Sequence, residues 1–196
     1  MTEEIQAYFA ASASVLSGVA GACGDAIERS AAVLVGAFRS GGKLLLCGNG
    51  GSAADCQHMA TELVSRFSPE LDRPPIPAIA LTTDTSFLTA FSNDSGYEGV
   101  FERQVRAHGR AGDVLLAIST SGNSRNVLAA ARAARELGMT VIGLTGPAGE
   151  LASLADVTIA IPSRETQHMQ EAHLAVEHLL CGLVERRLYG SMDRNT

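Results

Sequence analysis

Five short apolar runs punctuate the chain, at 43–47, 77–81, 114–118, 140–144 and 157–161, each the length of a strand. Between them, helical spacing of apolar residues covers 52–67, 85–107, 124–137 and 149–154. Strands that alternate with helices predict a mainly parallel, five-stranded sheet covered on both faces, in an α/β, doubly wound, flavodoxin-like fold. Ahead of the sheet, apolar residues recur at helical spacing over 5–39, and Gly18, Gly21 and Gly24 predict a break of this arm into two helices. After the sheet, Met169, Leu174, Val176, Leu179, Leu180, Leu183 and Val184 predict one long, largely buried helix over 166–188.

With 196 residues the chain supports one well-buried core. The reading is a single domain over 1–196, with a helical arm (1–40), an α/β core (41–162) and a C-terminal helix (163–190). The proline-rich stretch 68–75 is short enough to be a loop rather than a boundary, and the polar end, 191–196, is expected to fray.

Composition narrows the function. Hydrophobic residues make up 46% of the chain, yet no apolar run in the core approaches a membrane span, so a soluble protein with no membrane partner is expected. The acidic start Met1-Thr2-Glu3-Glu4 is unlike a secretory signal, which points to the cytoplasm. Cys23, Cys47, Cys56 and Cys181 are scattered without a paired spacing and read as small core residues rather than a disulfide framework or a zinc knot. A net charge of -6 excludes a general nucleic-acid surface, so an anionic ligand must be held by local donors.

Such donors gather in two loops. The third apolar run leads into Ser119-Thr120-Ser121-Gly122-Asn123-Ser124, directly before a helix. Hydroxyls, a glycine and the free N–H groups of a helix start together suit a phosphate. The first run leads into Gly48-Asn49-Gly50-Gly51-Ser52-Ala53-Ala54, again before a helix. Its glycine spacing departs from a dinucleotide fingerprint, which argues against a nicotinamide enzyme. Two such loops suit one ligand lying across the switch point of the sheet, with Asn49 and Ser52 offering donors and Asn93-Asp94 a third contribution.

Acid–base and metal-binding side chains follow. His58 and Glu62 stand four residues apart on the helix after the first loop and therefore share a face, an arrangement suited to a metal ion or to divided acid and base work. The C-terminal helix carries Gln167, His168, Gln170, Glu171, His173, Glu177 and His178. Gln170 and His178 lie about 80° apart around that helix, while His173 and Glu177 form a separate pair, and spacing alone leaves both pairs open.

Taken together, the Gly48–Ala54 loop, His58 with Glu62, Asn93-Asp94, the Ser119–Ser124 loop and Gln170-Glu171-Ala172-His173 with His178 resemble the phosphoheptose isomerases of the sugar isomerase (SIS) superfamily over nearly the whole chain. The resemblance implies interconversion of sedoheptulose 7-phosphate and D-glycero-D-manno-heptose 7-phosphate through an enediol, at the entry to ADP-heptose for lipopolysaccharide core. It places the family's zinc positions on His58, Glu62, Gln170 and His178, with one ion per subunit. It places the substrate contacts on Asn49, Gly50, Gly51, Glu62, Asn93, Asp94, Ser119, Thr120, Ser121, Ser124 and Gln170. Homotetramers with sites at subunit interfaces are also implied. An aldose–ketose shift needs a base and an acid, for which Glu62 and His178 are the candidates. A carboxylate bound to zinc is a weaker base, so either Glu62 leaves the ion during turnover or the ion is structural or regulatory. The competing readings are a catalytically silent SIS scaffold that binds the replication initiator protein, and an isomerase or sensor of another sugar phosphate.

Overall fold

A computed structural model of the protein describes residues 2–190, and the polar tail 191–196 lies outside the described residues. Its strands are Leu44–Cys47 (β1), Ala78–Ala80 (β2), Val114–Ser119 (β3), Thr140–Thr145 (β4) and Val157–Ala160 (β5). They form one sheet in the order β2-β1-β3-β4-β5. Every neighbouring pair is parallel. This is the flavodoxin-like order, in which winding reverses between β1 and β3. Each strand matches its predicted run to within a residue at either end.

The helices are Glu3–Arg39 (α1), Gly51–Val64 (α2), Thr85–Ser95 (α3), Val100–His108 (α4), Arg125–Glu136 (α5), Leu151–Leu154 (α6) and Thr166–Tyr189 (α7). Two differ from expectation. The arm is one unbroken helix of 37 residues rather than two. Helical glycines weaken a helix by only roughly 0.5–1 kcal/mol each, unlike an interior proline. Here Thr2 caps the first turn, Glu3 and Glu4 favour the positive end of the dipole, and Cys23, Ile27, Ala31, Leu34 and Val35 are buried against the body. Conversely, the helix predicted over 85–107 is split. Gly96 stops α3 at φ +86, and a single 3₁₀ turn, Tyr97–Gly99, leads into α4.

The sheet divides the core into two layers, as the alternation of strand side chains requires. Leu44, Leu46, Val114, Leu116 and Ile118 point to one side and pack with α1, α2 and α7 residues such as Leu34, Met59, Val176 and Leu180. Leu45, Cys47, Leu115 and Ala117 point to the other and pack with Val100, Phe101 and Val105 of α4 and the alanine face of α5. The result is a rigid central platform whose strand ends carry the two polar loops.

The cysteines follow their expected role, since all four are free and buried. Burial pushes the Cys47 thiol up to about 12, and it raises Cys23 as well, whose Sγ donates to the Ala160 carbonyl at 3.2 Å. The native protein is therefore expected to resist a chromogenic disulfide reagent at pH ~8 for many minutes, because the thiolate is the nucleophile. All four thiols should react at once after unfolding in guanidinium; rapid native labelling would contradict this packing.

Candidate active site

The switch point brings the ends of β1 and β3 side by side, and with them the two loops. They are joined by a reciprocal amide pair. Asn49 Nδ2 donates to Asn126 Oδ1 at 2.9 Å, and Asn126 Nδ2 donates to Asn49 Oδ1 at 2.8 Å. Asn126 Oδ1 also accepts from the Val127 amide at 3.0 Å, which fixes the first turn of α5 to the β1 loop. Beside this joint, Ser119 Oγ lies 3.4 Å from Ser121 Oγ and 3.0 Å from Ser124 Oγ. Ser124 occupies the cap position of α5 yet makes no capping hydrogen bond with its side chain. Three hydroxyls thus converge at a helix N-terminus, an arrangement able to receive an anion without a basic patch. Thr120 and Ser121 also border a hollow shared with Ser163, Arg164 and Thr166.

The β1 loop is built for close approach at Gly51. A Cβ there would fall 2.4 Å from Gln170 Nε2 and 2.9 Å from its Cδ, so only glycine lets the α7 glutamine lie across the start of α2. Gly50 is exposed beside it, whereas Ser52 is buried beneath the loop at 3% exposure. Asn93 and Asp94 end up exposed in the last turn of α3, where Asn93 Nδ2 donates to Asp94 Oδ1 at 2.9 Å.

Helices α2 and α7 bring the titratable groups together. His58 Nε2 and His178 Nε2 are 2.7 Å apart, and Glu62 Oε1 is 3.6 Å from His58 Nε2. One ligand atom from each of His58, Glu62 and His178 lies within 4.8 Å of the others, in a partly exposed position. Two imidazoles and a carboxylate facing one point form a donor set that can hold a divalent metal ion. The alternative pair on α7 faces elsewhere. His173 is fully buried against β4, with Nε2 3.4 Å from the Thr145 carbonyl, and burial pushes its pKa down to about 4. Glu177 is likewise fully buried, and both its oxygens lack a partner among the described residues. Burial, with the Asp55 carboxylate beside it, pushes Glu177 up to about 9. Periodicity could not separate these pairs because one face of α7 meets the sheet and the next meets α2.

Three participants were not singled out from the sequence. Asn126 joins the loops, Arg164 brings a cation to the hollow beside Thr120 and Ser121, and Arg73 binds the backbone of Glu62. Only Arg164 carried a signal, as a cation two residues before the C-terminal helix.

The chain is similar to known proteins over nearly its whole length. The SIS domain family matches residues 7–146. A phosphoheptose isomerase of Rhodospirillum rubrum is 53% identical over 189 residues, covering 96% of this chain and 99% of that protein. One from a Geobacter species is 48% identical over 190 residues, covering 96% and 98%. The solved structure of phosphoheptose isomerase from Neisseria gonorrhoeae matches with a TM-score of 0.87 at 42% identity, covering 93% of this chain and 97% of that one. That from Francisella tularensis matches with a TM-score of 0.90 at 39% identity, covering 95% and 100%. The doubly wound sheet, the serine loop at its switch point and this likeness over nearly the full length leave one conclusion: the chain belongs to the phosphoheptose isomerase family of SIS-domain proteins.

Proposed function

We propose that this protein interconverts sedoheptulose 7-phosphate and D-glycero-D-manno-heptose 7-phosphate, at the entry to ADP-heptose synthesis. The observation that carries this reading is the convergence of His58 and Glu62 of α2 with His178 of α7, next to the glycine loop that Asn49 joins to Asn126 at the start of α5, just after the serine loop. An aldose–ketose isomerase needs such a division between a phosphate anchor and a reacting end.

Ser119, Thr120, Ser121 and Ser124 bind the phosphate, and Asn49, Gly50, Gly51, Ser52, Asn93 and Asp94 are assigned to the sugar hydroxyls. Glu62 takes the proton from the carbon next to the carbonyl, and His178 donates to the carbonyl oxygen as the enediol forms. Reversing these transfers at the neighbouring carbon completes the isomerisation without net oxidation. His58, Glu62 and His178, joined by Gln170 as the family resemblance implies, would hold a zinc ion, for which the N and O donors of the three clustered side chains are suitable. When bound, zinc would supply Lewis-acid polarisation of the carbonyl in place of a proton from His178, and Glu62 acts as the base only when it is off the ion.

The chain is assigned as one SIS domain that works as a soluble, cytoplasmic homotetramer. The support is the surface of α1, where Ile5, Tyr8, Phe9 and Leu16 are exposed and a groove against α7 is lined by Leu16, Val19, Ile27, Leu179 and Leu183. Among the described residues α1 is the one helix long and apolar enough to cross a membrane, with only 6% of that window buried. Copies of the chain covering one another would remove this apolar surface from water.

Three outcomes test these assignments. Glu62→Gln should fold like the wild type and lose at least about a hundredfold in kcat, followed by proton NMR of sedoheptulose 7-phosphate in deuterated water. Wild-type enzyme should also place solvent deuterium next to the carbonyl, and undiminished turnover by the variant would remove Glu62 as the base. Replacing Ser119 and Ser124 together by Ala should raise KM about tenfold or more with a smaller change in kcat, as loss of uniform binding does. Finally, Leu16→Glu with Leu179→Glu should lower the mass measured by light scattering from that of a tetramer; an unchanged mass would place the interface elsewhere.

A further inference from the structure

A buried ion pair stands outside the site but is tied to it at both ends. Arg73 lies in the proline-rich loop between α2 and β2, Glu185 lies near the end of α7, and their side chains are 0% and 2% exposed. Arg73 Nε donates to Glu185 Oε1 at 2.6 Å. Its other nitrogens reach the last turn of α2: Nη2 donates to the Glu62 carbonyl at 2.9 Å and Nη1 to the Leu63 carbonyl at 2.8 Å. Nη1 donates further to the Pro74 carbonyl at 3.0 Å. Glu185 accepts in addition from the Phe67 and Ser68 amides, at 3.2 and 2.9 Å.

Two of these carbonyls, of Glu62 and Leu63, are among those a helix C-terminus leaves without an intrahelical partner, and that of Leu63 also accepts from the Ile76 amide at 3.1 Å. One belongs to Glu62 itself, so the guanidinium sets the rotation of the turn that aims the Glu62 carboxylate. On the other side, Glu185 follows His178 by seven residues, two turns later on the same face of α7 and about 10 Å along the axis. The Phe67 amide bound by Glu185 also positions the Phe67 ring, whose centroid lies 6.0 Å from that of His178. The C-terminal carbonyls of α2 and the Phe67 ring that faces His178 of α7 are thus referenced to a single buried salt bridge.

A buried ion pair seldom adds stability beyond what apolar side chains of similar size supply; its best-attested use is to specify register. We infer that Arg73 and Glu185 are positioning residues that hold α2 and α7 in the register at which His58, Glu62 and His178 converge. This inference rests on the function proposed above for that cluster. A forked guanidinium is needed for the task, since one cation must bind a carboxylate and three carbonyls, two of them on α2, in fixed directions.

The test is the double variant Arg73→Met/Glu185→Leu, which removes both charges together, beside Arg73→Lys, which keeps the charge and loses the fork. For each variant that melts cooperatively, kcat and KM are measured with sedoheptulose 7-phosphate, and zinc affinity by competition with a chromophoric chelator. The expected result is a fall of about 10–100-fold in kcat and in zinc affinity, the range typical of residues that orient ligands. KM should stay within about twofold, because the serine loop belongs to β3 and α5. Wild-type kcat and zinc affinity in a folded double variant would overturn the inference, as would a raised KM at unchanged kcat. Should the double variant fail to melt cooperatively, the same two values in Arg73→Lys decide. Zinc affinity does not depend on the sugar, so a wild type that binds zinc but turns over no heptose phosphate would sink the proposed function and leave the positioning role to the zinc arm. A wild type that does neither overturns both.

Discussion

Parallel pairing of β1 with β3 is the constraint on which the remaining structure depends. Leu44 to Cys47 lie beside Val114 to Ala117 at the middle of the sheet, and crossovers leave this pair toward opposite edges. The crevice between those crossovers is the only part of an open α/β sheet where two strand-to-helix loops face one another. Both strands are buried along their length, and the register sets Leu44 against Val114 through to Cys47 against Ala117. The serine loop and the glycine loop are therefore placed by hydrophobic packing well below them, and their own polar groups are free to face a ligand.

The titratable cluster obeys a different logic. It is not built on strand ends but between two helices that share one layer of the core, so its geometry depends on how α2 sits against α7. Apolar packing alone tolerates small slides of one helix along another. Directional contacts narrow that freedom at both ends of the interface, with Gln170 lying on Gly51 at one end and the Arg73–Glu185 bridge at the other. Glu171 adds an anchor to the arm, accepting from Tyr8 and Ser12 of α1 at 2.6 Å each, which holds its carboxyl down at about 2.

Much of this was legible in the residues themselves. The strands were, because each is a contiguous apolar run whose meaning needs no partner, and so were the two loops, whose glycines and hydroxyls sit beside one another in the chain. The unbroken arm was not, since the small penalty of Gly18, Gly21 and Gly24 is outweighed by burial that only the folded body provides. The split at Gly96 was hidden because apolar residues flank it on both sides, Phe87, Leu88 and Phe91 before it and Val100, Phe101 and Val105 after it, and one glycine does not by itself end a helix. Within the site, His58 and Glu62 could be placed on one face by counting, whereas the choice between Gln170 with His178 and His173 with Glu177 depended on which side of α7 meets the sheet. Arg73 and Glu185, far apart in the chain, resemble any surface pair until the fold buries them.

The reciprocal amides of Asn49 and Asn126 bear on how the molecule comes into being. Their partners are separated by most of the central chain, so neither loop can be ordered by local contacts, and the crevice exists only once the slow, non-local pairing of the middle strands is complete. Partly folded chains then have no affinity for a sugar phosphate. Ligand in the medium draws the population toward the native basin by mass action alone, acting on the finished molecule and on nothing that precedes it.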